Sequence, residues 1–257
     1  MNPTDVKELS SSYLRSEYFP GKKIGLIALR TDHLVEDAFR SMLEGQDVSI
    51  VTNRILFNDP VNTENLRAMA EDLQRATADL LPEKPIDVVA FGCSSGATAI
   101  GEERLEKMIQ AIKPGAKVTN PVTAATAAFK ALKVNRISMI TPYIAEINRE
   151  VATFFTSKGL DVLSIAGFNV LADADITRID PAAIVAAATK YVHPESEALF
   201  LSCTALRATE VIDLLEEQLG IPVVTSNQAM AWHALQLLDV ARPRRSGGEL
   251  FKCCLKE

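Results

Sequence analysis

Two cysteines, Cys93 and Cys203, occupy matching positions in the two halves of a 257-residue chain. Each follows a short apolar run, 87–91 in the first half and 197–201 in the second, and each precedes hydroxyl residues and a segment with a helical pattern. In such a strand, loop and helix unit the loop lies at the carboxyl end of the strand, where open α/β sheets bind ligands. A thiol placed there can be held as the thiolate that acts as base or nucleophile. We therefore predict that the two cysteines face one site.

Three other interpretations of these motifs are a packing role for the cysteines, a Cys-His protease and a nucleotide-binding loop. A free cysteine is most often a buried small side chain at a strand end, and that interpretation applies to each cysteine taken alone. No histidine stands in a recognisable partner motif, which argues against a Cys-His protease. The sequence GCSSG at 92–96 lacks both the spacing of a dinucleotide-binding loop and a Walker lysine.

Polar residues at the predicted strand ends are the candidates for binding a substrate. Ser94, Ser95 and Thr204 follow the cysteines, where hydroxyls either cap a helix, worth about 1 kcal/mol, or help to hold a carboxylate. Tyr143 follows a strand after Pro142, and it either closes the core or reaches a ligand. The remaining candidates are polar residues at two other strand exits, Asp32 and Asn169.

Composition and charge exclude several classes of function. The net charge is −6, and the one dense basic cluster, at 242–245, is short and close to the end of the sequence, so we expect no nucleic-acid partner. No apolar run approaches the roughly 20 residues of a membrane span, and no secretory signal is recognisable, so we expect a cytoplasmic protein. Four cysteines and three histidines, including the adjacent pair at 253–254, match no zinc pattern, and we expect no metal site.

Apolar runs and helical patterns alternate along the chain, which is typical of parallel sheets covered on both faces. The predicted strands are 23–29, 48–52, 87–91, 117–119, 136–141, 160–166, 197–201 and 221–225, and the predicted helices include 34–43, 63–81, 121–132, 145–158, 181–191, 206–219 and 228–240. We predict an α/β fold with two pseudo-symmetric Rossmann-like lobes and the site in the cleft between them. Residues 22–115 with 221–240 would form the first lobe and 116–220 the second, and 1–21 and 241–257 would be terminal extensions.

The motifs FGCSSG at 91–96, TPY at 141–143, SCT at 202–204 and TSNQA at 225–229, followed by Trp232 and His233, resemble the aspartate/glutamate racemase superfamily. The resemblance is closest to the branch of maleate cis-trans isomerases, arylmalonate decarboxylases and the ectoine-utilisation protein A, and it covers roughly residues 22–240. It implies two α/β lobes, no cofactor, and a small carboxylate or dicarboxylate held between Cys93 and Cys203. It also implies that Ser94, Ser95, Thr204 and Tyr143 bind carboxylate oxygens.

The sequence departs from these relatives at the turn after the first strand. In maleate isomerases the turn resembles SSNT and supplies an asparagine to the substrate, whereas here Asp32 stands in the stretch RTDH at 30–33. A maleate dianion would be repelled by Asp32 unless Arg30 or His33 compensates. In the branch that this sequence resembles, arylmalonate decarboxylases have only the second of the two cysteines. The presence of Cys93 therefore counts against simple decarboxylation.

The sequence therefore predicts a cofactor-independent isomerase or racemase that acts on a small carboxylate through Cys93 and Cys203, with a place in ectoine utilisation as the favoured subgroup. Two alternatives stay open: an arylmalonate-type decarboxylase that uses Cys203, and a non-catalytic protein that only binds a carboxylate. We expect neither nucleic acid nor a membrane as partner, and a homo-oligomer is left open.

Overall fold

The computed structural model describes residues 6–9, 21–240 and 247–253, and it contains two four-stranded sheets. The strands are β1 Lys22–Leu29, β2 Val48–Ile55, β3 Val88–Gly92, β4 Lys117–Thr119, β5 Arg136–Thr141, β6 Asp161–Gly167, β7 Ala198–Leu201 and β8 Val223–Thr225. The α-helices are α1 Val35–Leu43, α2 Thr63–Ala68, α3 Ala70–Ala78, α4 Ser94–Ile100, α5 Glu102–Ile112, α6 Pro121–Leu132, α7 Ala145–Ser157, α8 Asp173–Ile176, α9 Pro181–Tyr191, α10 Ile212–Leu219 and α11 Ser226–Leu238.

Both sheets are parallel throughout and have equivalent topologies. The strand orders are β2-β1-β3-β4 and β6-β5-β7-β8, so each strand of the first sheet has a counterpart four positions later in the second. The central strands β1, β3, β5 and β7 are almost wholly buried, as continuous apolar runs covered on both faces should be. The predicted α/β fold with two similar parallel-sheet lobes is confirmed.

Two edge strands lie in the sheets opposite to those predicted. The predicted lobes place β4 in the second lobe, but it pairs with β3 in the first sheet. They place β8 in the first lobe, but it pairs with β7 in the second sheet. The lobe boundary at 115–116 and the return at 221 are therefore wrong for these strands. The physical reason is that each short strand pairs with the strand that precedes it along the chain and so completes the same sheet. The chain passes to the other lobe only in the helix that follows.

The two helices after these strands pack on the opposite sheets. Phe129 of α6 makes edge-to-face ring contacts with Phe155 and Phe200 of the second lobe. In return α11 packs against α1, β3 and β4 of the first lobe, and α6 and α11 also contact each other. α11 starts in a capping box, in which Thr225 and Gln228 satisfy each other's backbone N–H groups. This exchange brings the carboxyl ends of the two sheets together.

Three predicted helices are divided in the structure. The helix predicted at 63–81 is interrupted at Met69, and the segment after Cys93 is interrupted at Gly101, whose φ of 93° suits glycine. The first part of the helix predicted at 206–219 is a 3-10 turn, Ala208–Val211. The apolar periodicity of the sequence predicts a continuous helix in each case and does not reveal where the helix is interrupted.

Most of both predicted terminal extensions, including the basic cluster at 242–245 and Cys254, lies outside the described residues. Cys253 is half-buried, and its carbonyl oxygen accepts a hydrogen bond from the indole of Trp232 at 2.9 Å. Among the helices that the structure describes, none has the length and apolar character needed to cross a bilayer. His233 is buried on α11, and burial lowers its pKa to about 4. Its Nδ1 forms a hydrogen bond with Oγ1 of Thr119 at 2.8 Å, so it is a neutral core residue.

Candidate active site

Cys93 stands between β3 and α4 and is the N-cap of that helix. Its Sγ accepts a hydrogen bond from the N–H of Gly96 at 3.2 Å and lies 3.8 Å from Oγ of Ser95. The side chain is 5% exposed. Burial raises the pKa of the Cys93 thiol to about 12, and the negative charges of Asp173 and Asp32 add to this effect. Cys93 is therefore a neutral thiol near neutral pH.

Cys203 occupies the equivalent place after β7. Its backbone has a φ of 154°, which is rare for a residue with a side chain, and its N–H donates to Oγ of Ser226 at 3.0 Å. Burial again raises the pKa of its thiol, followed by the charges of Asp173 and Asp32, and Cys93 itself contributes. Both thiols therefore keep their protons, and a site shared by the two cysteines stays a prediction.

Hydrogen bonds between the lobes hold the two cysteine loops together. Oγ of Ser226 lies 2.8 Å from Oγ of Ser94, and the same oxygen accepts from the N–H of Cys203. Thr204 donates from Oγ1 to the carbonyl of Gly92 at 3.2 Å, and the carbonyl of Thr204 accepts from Asn227 at 2.8 Å. The hydroxyls of Ser94 and Thr204 are therefore engaged in joining the loops, and their predicted contact with substrate stays a prediction.

Ser226 and Asn227 were not predicted as site residues, although the motif TSNQA was noted. The signal that could have identified them is their position at the end of β8, beside the end of β7 in a parallel sheet. We expect Ser226→Ala to lower kcat/KM by about ten- to a hundredfold, because the N–H of Cys203 loses its acceptor and a small misplacement of a catalytic group is costly.

Steady-state kinetics on the acid that the enzyme turns over would measure this effect. Ser226→Thr, which keeps the hydroxyl, should recover part of the activity. Ser157→Ala, at an exposed serine that bonds only within its own helix, is the control. Unchanged kinetics in Ser226→Ala would show that the bond between the loops does not position Cys203.

Tyr143 is buried with an unpaired hydroxyl beside the second cysteine. It is 2% exposed, and its OH makes no hydrogen bond of normal geometry with the described residues, although the side chains of Cys203 and Ser202 lie near it. Burial raises the pKa of Tyr143, and the neighbouring thiols Cys203 and Cys93 raise it further, so the phenol keeps its proton. A buried donor without an acceptor is rare in folded proteins, and it points to a ligand that supplies one.

The backbone of Tyr143 is fixed by the end of β6. A methyl group on Gly167 would press on the carbonyl oxygen of Tyr143 and on the amide of Asn148, which itself donates to that carbonyl at 3.2 Å. We expect Gly167→Ala to lower the free energy of unfolding by about 1–3 kcal/mol, as overpacking does, and to weaken substrate binding. Urea unfolding and KM would measure the two effects, and a wild-type value of both would show that this contact yields without cost.

Asp32 is 1% exposed at the end of β1. One carboxylate oxygen accepts from the N–H groups of Leu34 and Val35 at 2.8 and 3.0 Å. The other is buried and makes no hydrogen bond of normal geometry with the described residues, although the side chain of Thr204 lies near the carboxylate. Burial raises the pKa of Asp32, against the lowering effect of these bonds, of Thr204 and of Arg54. The two residues expected to compensate its charge, Arg30 and His33, have exposed side chains.

Asp173 is a further residue near the cysteine loops that the sequence did not indicate, besides Ser226 and Asn227. It is 6% exposed on the short helix α8, and its carboxylate accepts a hydrogen bond from Thr31 at 2.5 Å. Burial raises the pKa of Asp173 to about 6, with the charges of Asp32 and Asp59 adding to the rise. The acidic stretch ADAD at 172–175 was visible, but the neighbouring Asp175 is exposed, and only the fold distinguishes the two.

Asn169 is exposed in the turn before α8, where its φ of 58° places it in the left-handed region that asparagine tolerates. Its position explains how the chain turns from β6 toward Asp173, and its contact with substrate stays a prediction. Within the described ranges no group of three or more His, Cys, Asp or Glu side chains is arranged to hold a metal ion. Two buried cysteines thus lie at the carboxyl ends of the two sheets, on loops that are joined by hydrogen bonds.

Comparison with known proteins relates this site to one family. The arylmalonate decarboxylase family model matches residues 60–251. An arylmalonate decarboxylase of Bordetella bronchiseptica is 30% identical over 140 residues, which make up 53% of this chain and 58% of that relative. A maleate isomerase of Geobacillus stearothermophilus is 22% identical over 243 residues, covering 89% of this chain and 96% of the relative.

A solved structure has the same fold over most of its length. It is a cysteine-to-serine variant of the Nocardia farcinica maleate cis-trans isomerase with a covalently bound succinylcysteine intermediate, with a TM-score of 0.83 and 20% identity, and the match covers 90% of this chain and 98% of that one. The predicted branch of the racemase superfamily is confirmed by these similarities.

Proposed function

Since the chain belongs to the arylmalonate decarboxylase family, we propose that it is a cofactor-independent isomerase or racemase of a small carboxylate, with Cys93 and Cys203 as its catalytic thiols. The observation that supports this proposal is the placement of two buried cysteines after corresponding strands of the two sheets, on loops that Ser226 joins by hydrogen bonds. If each cysteine served only packing, a second cysteine after the corresponding strand of the other sheet would not be needed.

In a racemase-like cycle, one cysteine acts as thiolate and the other as thiol. The thiolate removes the proton α to the carboxylate, and the electron pair of that C–H bond moves into an enediolate. The opposite thiol then gives its proton to the other face of the carbon, which leaves the two cysteines with exchanged protonation states. The enediolate needs preorganised donors, and the unpaired hydroxyl of Tyr143 and that of Ser95 are available for this role.

In an isomerase-like cycle, Cys93 acts as a nucleophile. Its thiolate adds to one carbon of a double bond, and the displaced electron pair moves into the adjacent carboxylate. Rotation about the resulting single bond precedes the return of that pair, which restores the double bond and expels the thiolate. The succinylcysteine intermediate in the Nocardia farcinica relative supports this route for a related protein.

A decarboxylase that uses Cys203 is the second candidate, and it is favoured by the 30% identity to the Bordetella bronchiseptica arylmalonate decarboxylase. The presence of Cys93 favours isomerisation over this alternative. A place in ectoine utilisation is part of the proposal as its favoured subgroup, on the resemblance of the motifs alone.

The test is an NMR experiment in heavy water. Purified protein is incubated with a panel of small carboxylic acids, and exchange of the α-proton, change of double-bond geometry and release of CO₂ are followed together. Exchange or isomerisation that requires both cysteines supports the proposal. Release of CO₂ that survives loss of Cys93 supports the decarboxylase, and binding by calorimetry without turnover of any acid supports a carboxylate-binding protein.

A further inference from the structure

Two buried carboxyl groups near the cysteine loops have no role in the chemistry described above, and Thr31, the neighbour of Asp32, donates a hydrogen bond to the carboxylate of Asp173. Asp32 and Asp173 are 1% and 6% exposed, one from each lobe, and each is close enough to raise the pKa of both cysteines. Aspartate is almost never buried to this degree unless it is paired. Within the described ranges no lysine or arginine forms an ion pair with either carboxylate.

We propose that Asp32 and Asp173 form an acidic subsite that binds an ammonium group, so that the substrate is an amino-substituted carboxylic acid rather than a dicarboxylate. This inference rests on the proposed function and names the substrate class of the same site. The second carboxylate oxygen of Asp32 makes no hydrogen bond of normal geometry with the described residues, and an ammonium group supplies three donors. Charge-assisted hydrogen bonds of this kind are about twice as strong as neutral ones.

Hydrogen bonds from the first lobe fix the loop that carries Asp173. Its backbone N–H donates to the carboxylate of Asp59 at 2.9 Å, and the N–H of Val61 donates to the carbonyl of Leu171 at 2.8 Å. With the bond from Thr31, three contacts from the first lobe fix the loop that carries this side chain. A buried carboxylate such as that of Asp173 is not needed for a loop to pack against the first lobe, which favours a role for it in binding.

The other end of the substrate is accounted for by Tyr143. Its unpaired, buried hydroxyl is a donor beside Cys203 and suits a carboxylate oxygen. The site thus offers a donor on one side and carboxylates on another, which matches a molecule with groups of opposite charge. A second substrate carboxylate placed near Asp32 and Asp173 would meet like charges and would bind only if protons were taken up.

An ammonium group would also assist the chemistry. The charges of Asp32 and Asp173 oppose ionisation of both thiols, and a bound cation cancels that opposition. Binding of the correct substrate would therefore favour the thiolate that the reaction needs.

Four acids with four carbons each test the inference by calorimetry on the full chain at pH 7.5: butyrate, 2-aminobutyrate, 4-aminobutyrate and maleate. We expect one of the two amino acids to bind at least about tenfold more tightly than butyrate and than maleate. Asp173→Asn and Asp32→Asn should each remove that preference and should improve maleate binding. Asp175→Asn, at an exposed aspartate of the same helix that pairs only with Arg178, is the matched control and should leave the ranking unchanged.

The dependence of affinity on pH is a second measurement that needs no variant. Asp173 is faced by Asp32, Asp59, His33 and the two thiols, and its pKa of about 6 means that it loses its proton as pH rises through that value. Affinity for the amino acid should therefore rise between about pH 5 and 7, while affinity for maleate should fall.

Failure of this inference and failure of the proposed function are distinguishable. If maleate binds most tightly to the wild type and its affinity is indifferent to both aspartates, the acidic subsite is overturned even if the cysteines catalyse isomerisation. If an amino acid binds through the aspartates but no acid is exchanged or isomerised, the subsite stands and the enzymatic proposal falls.

Discussion

Replacing either cysteine by serine should abolish interconversion of the substrate, with kcat/KM falling by about three to four orders of magnitude in each single variant. A serine hydroxyl has nearly the shape of the thiol but is a far weaker base at its ordinary pKa. Cys93→Ser and Cys203→Ser are therefore expected to fold normally, since each thiol is buried and of similar size to its replacement. Kinetics and thermal unfolding would be measured together.

The residual chemistry of the two variants separates the possible mechanisms. In a two-base racemase, each variant should still exchange the α-proton of one enantiomer, because one working base suffices for a one-sided step. In an isomerase with Cys93 as nucleophile, Cys93→Ser should lose all chemistry and any covalent adduct seen by mass spectrometry. Cys203→Ser should then let the adduct form and persist.

A decarboxylase would behave differently. Cys203 alone should be indispensable, and Cys93→Gly should retain or gain decarboxylation of a malonate. Cys253→Ser, at a half-buried cysteine that directly follows the 3-10 turn Glu249–Lys252, is the control that should keep full activity. Full activity in both Cys93→Ser and Cys203→Ser would contradict all three mechanisms and return these cysteines to the role of buried packing residues.

Tyr143→Phe should lower activity by about a hundredfold or more and leave stability unchanged or slightly higher. The loss of activity follows because removing one donor to a developing oxyanion typically costs a factor of about 10²–10³. The stability result follows because the hydroxyl is buried without a partner, so its removal ends a desolvation cost of about 1 kcal/mol or more rather than breaking a bond. Opposite signs of the two effects would mark a group kept for its ligand.

Urea unfolding and steady-state kinetics on the same preparations would measure both effects. The matched control is Tyr191→Phe, at a tyrosine that is 47% exposed and lies against Lys190, for which neither quantity should change much. A variant Tyr143→Phe that is less stable yet fully active would show that the phenol serves the core, as the alternative interpretation of the sequence allowed.

The sequence by itself determined the fold class and the positions of Cys93 and Cys203 after β3 and β7, while their catalytic role stays a prediction. Parallel strands buried on both faces must be continuous apolar runs, and helices between them must show apolar faces, so both are visible along the chain without knowledge of the partners. Cys93 and Cys203 could be found for the same reason, because the residue that follows a buried parallel strand lies at the ligand-binding edge in any such sheet.

Only the tertiary structure decided which strand completes which sheet and which acidic residue enters the site. β4 and β8 are three residues long, and nothing in so short a segment records whether it pairs with the preceding strand or with a strand of the other lobe. Asp173 and Asp175 stand two residues apart in the same acidic stretch, yet contacts with Thr31 and Asp59 of the other lobe bury the first alone. Those contacts join segments distant along the chain, and such pairings depend on how the two lobes meet rather than on any local pattern.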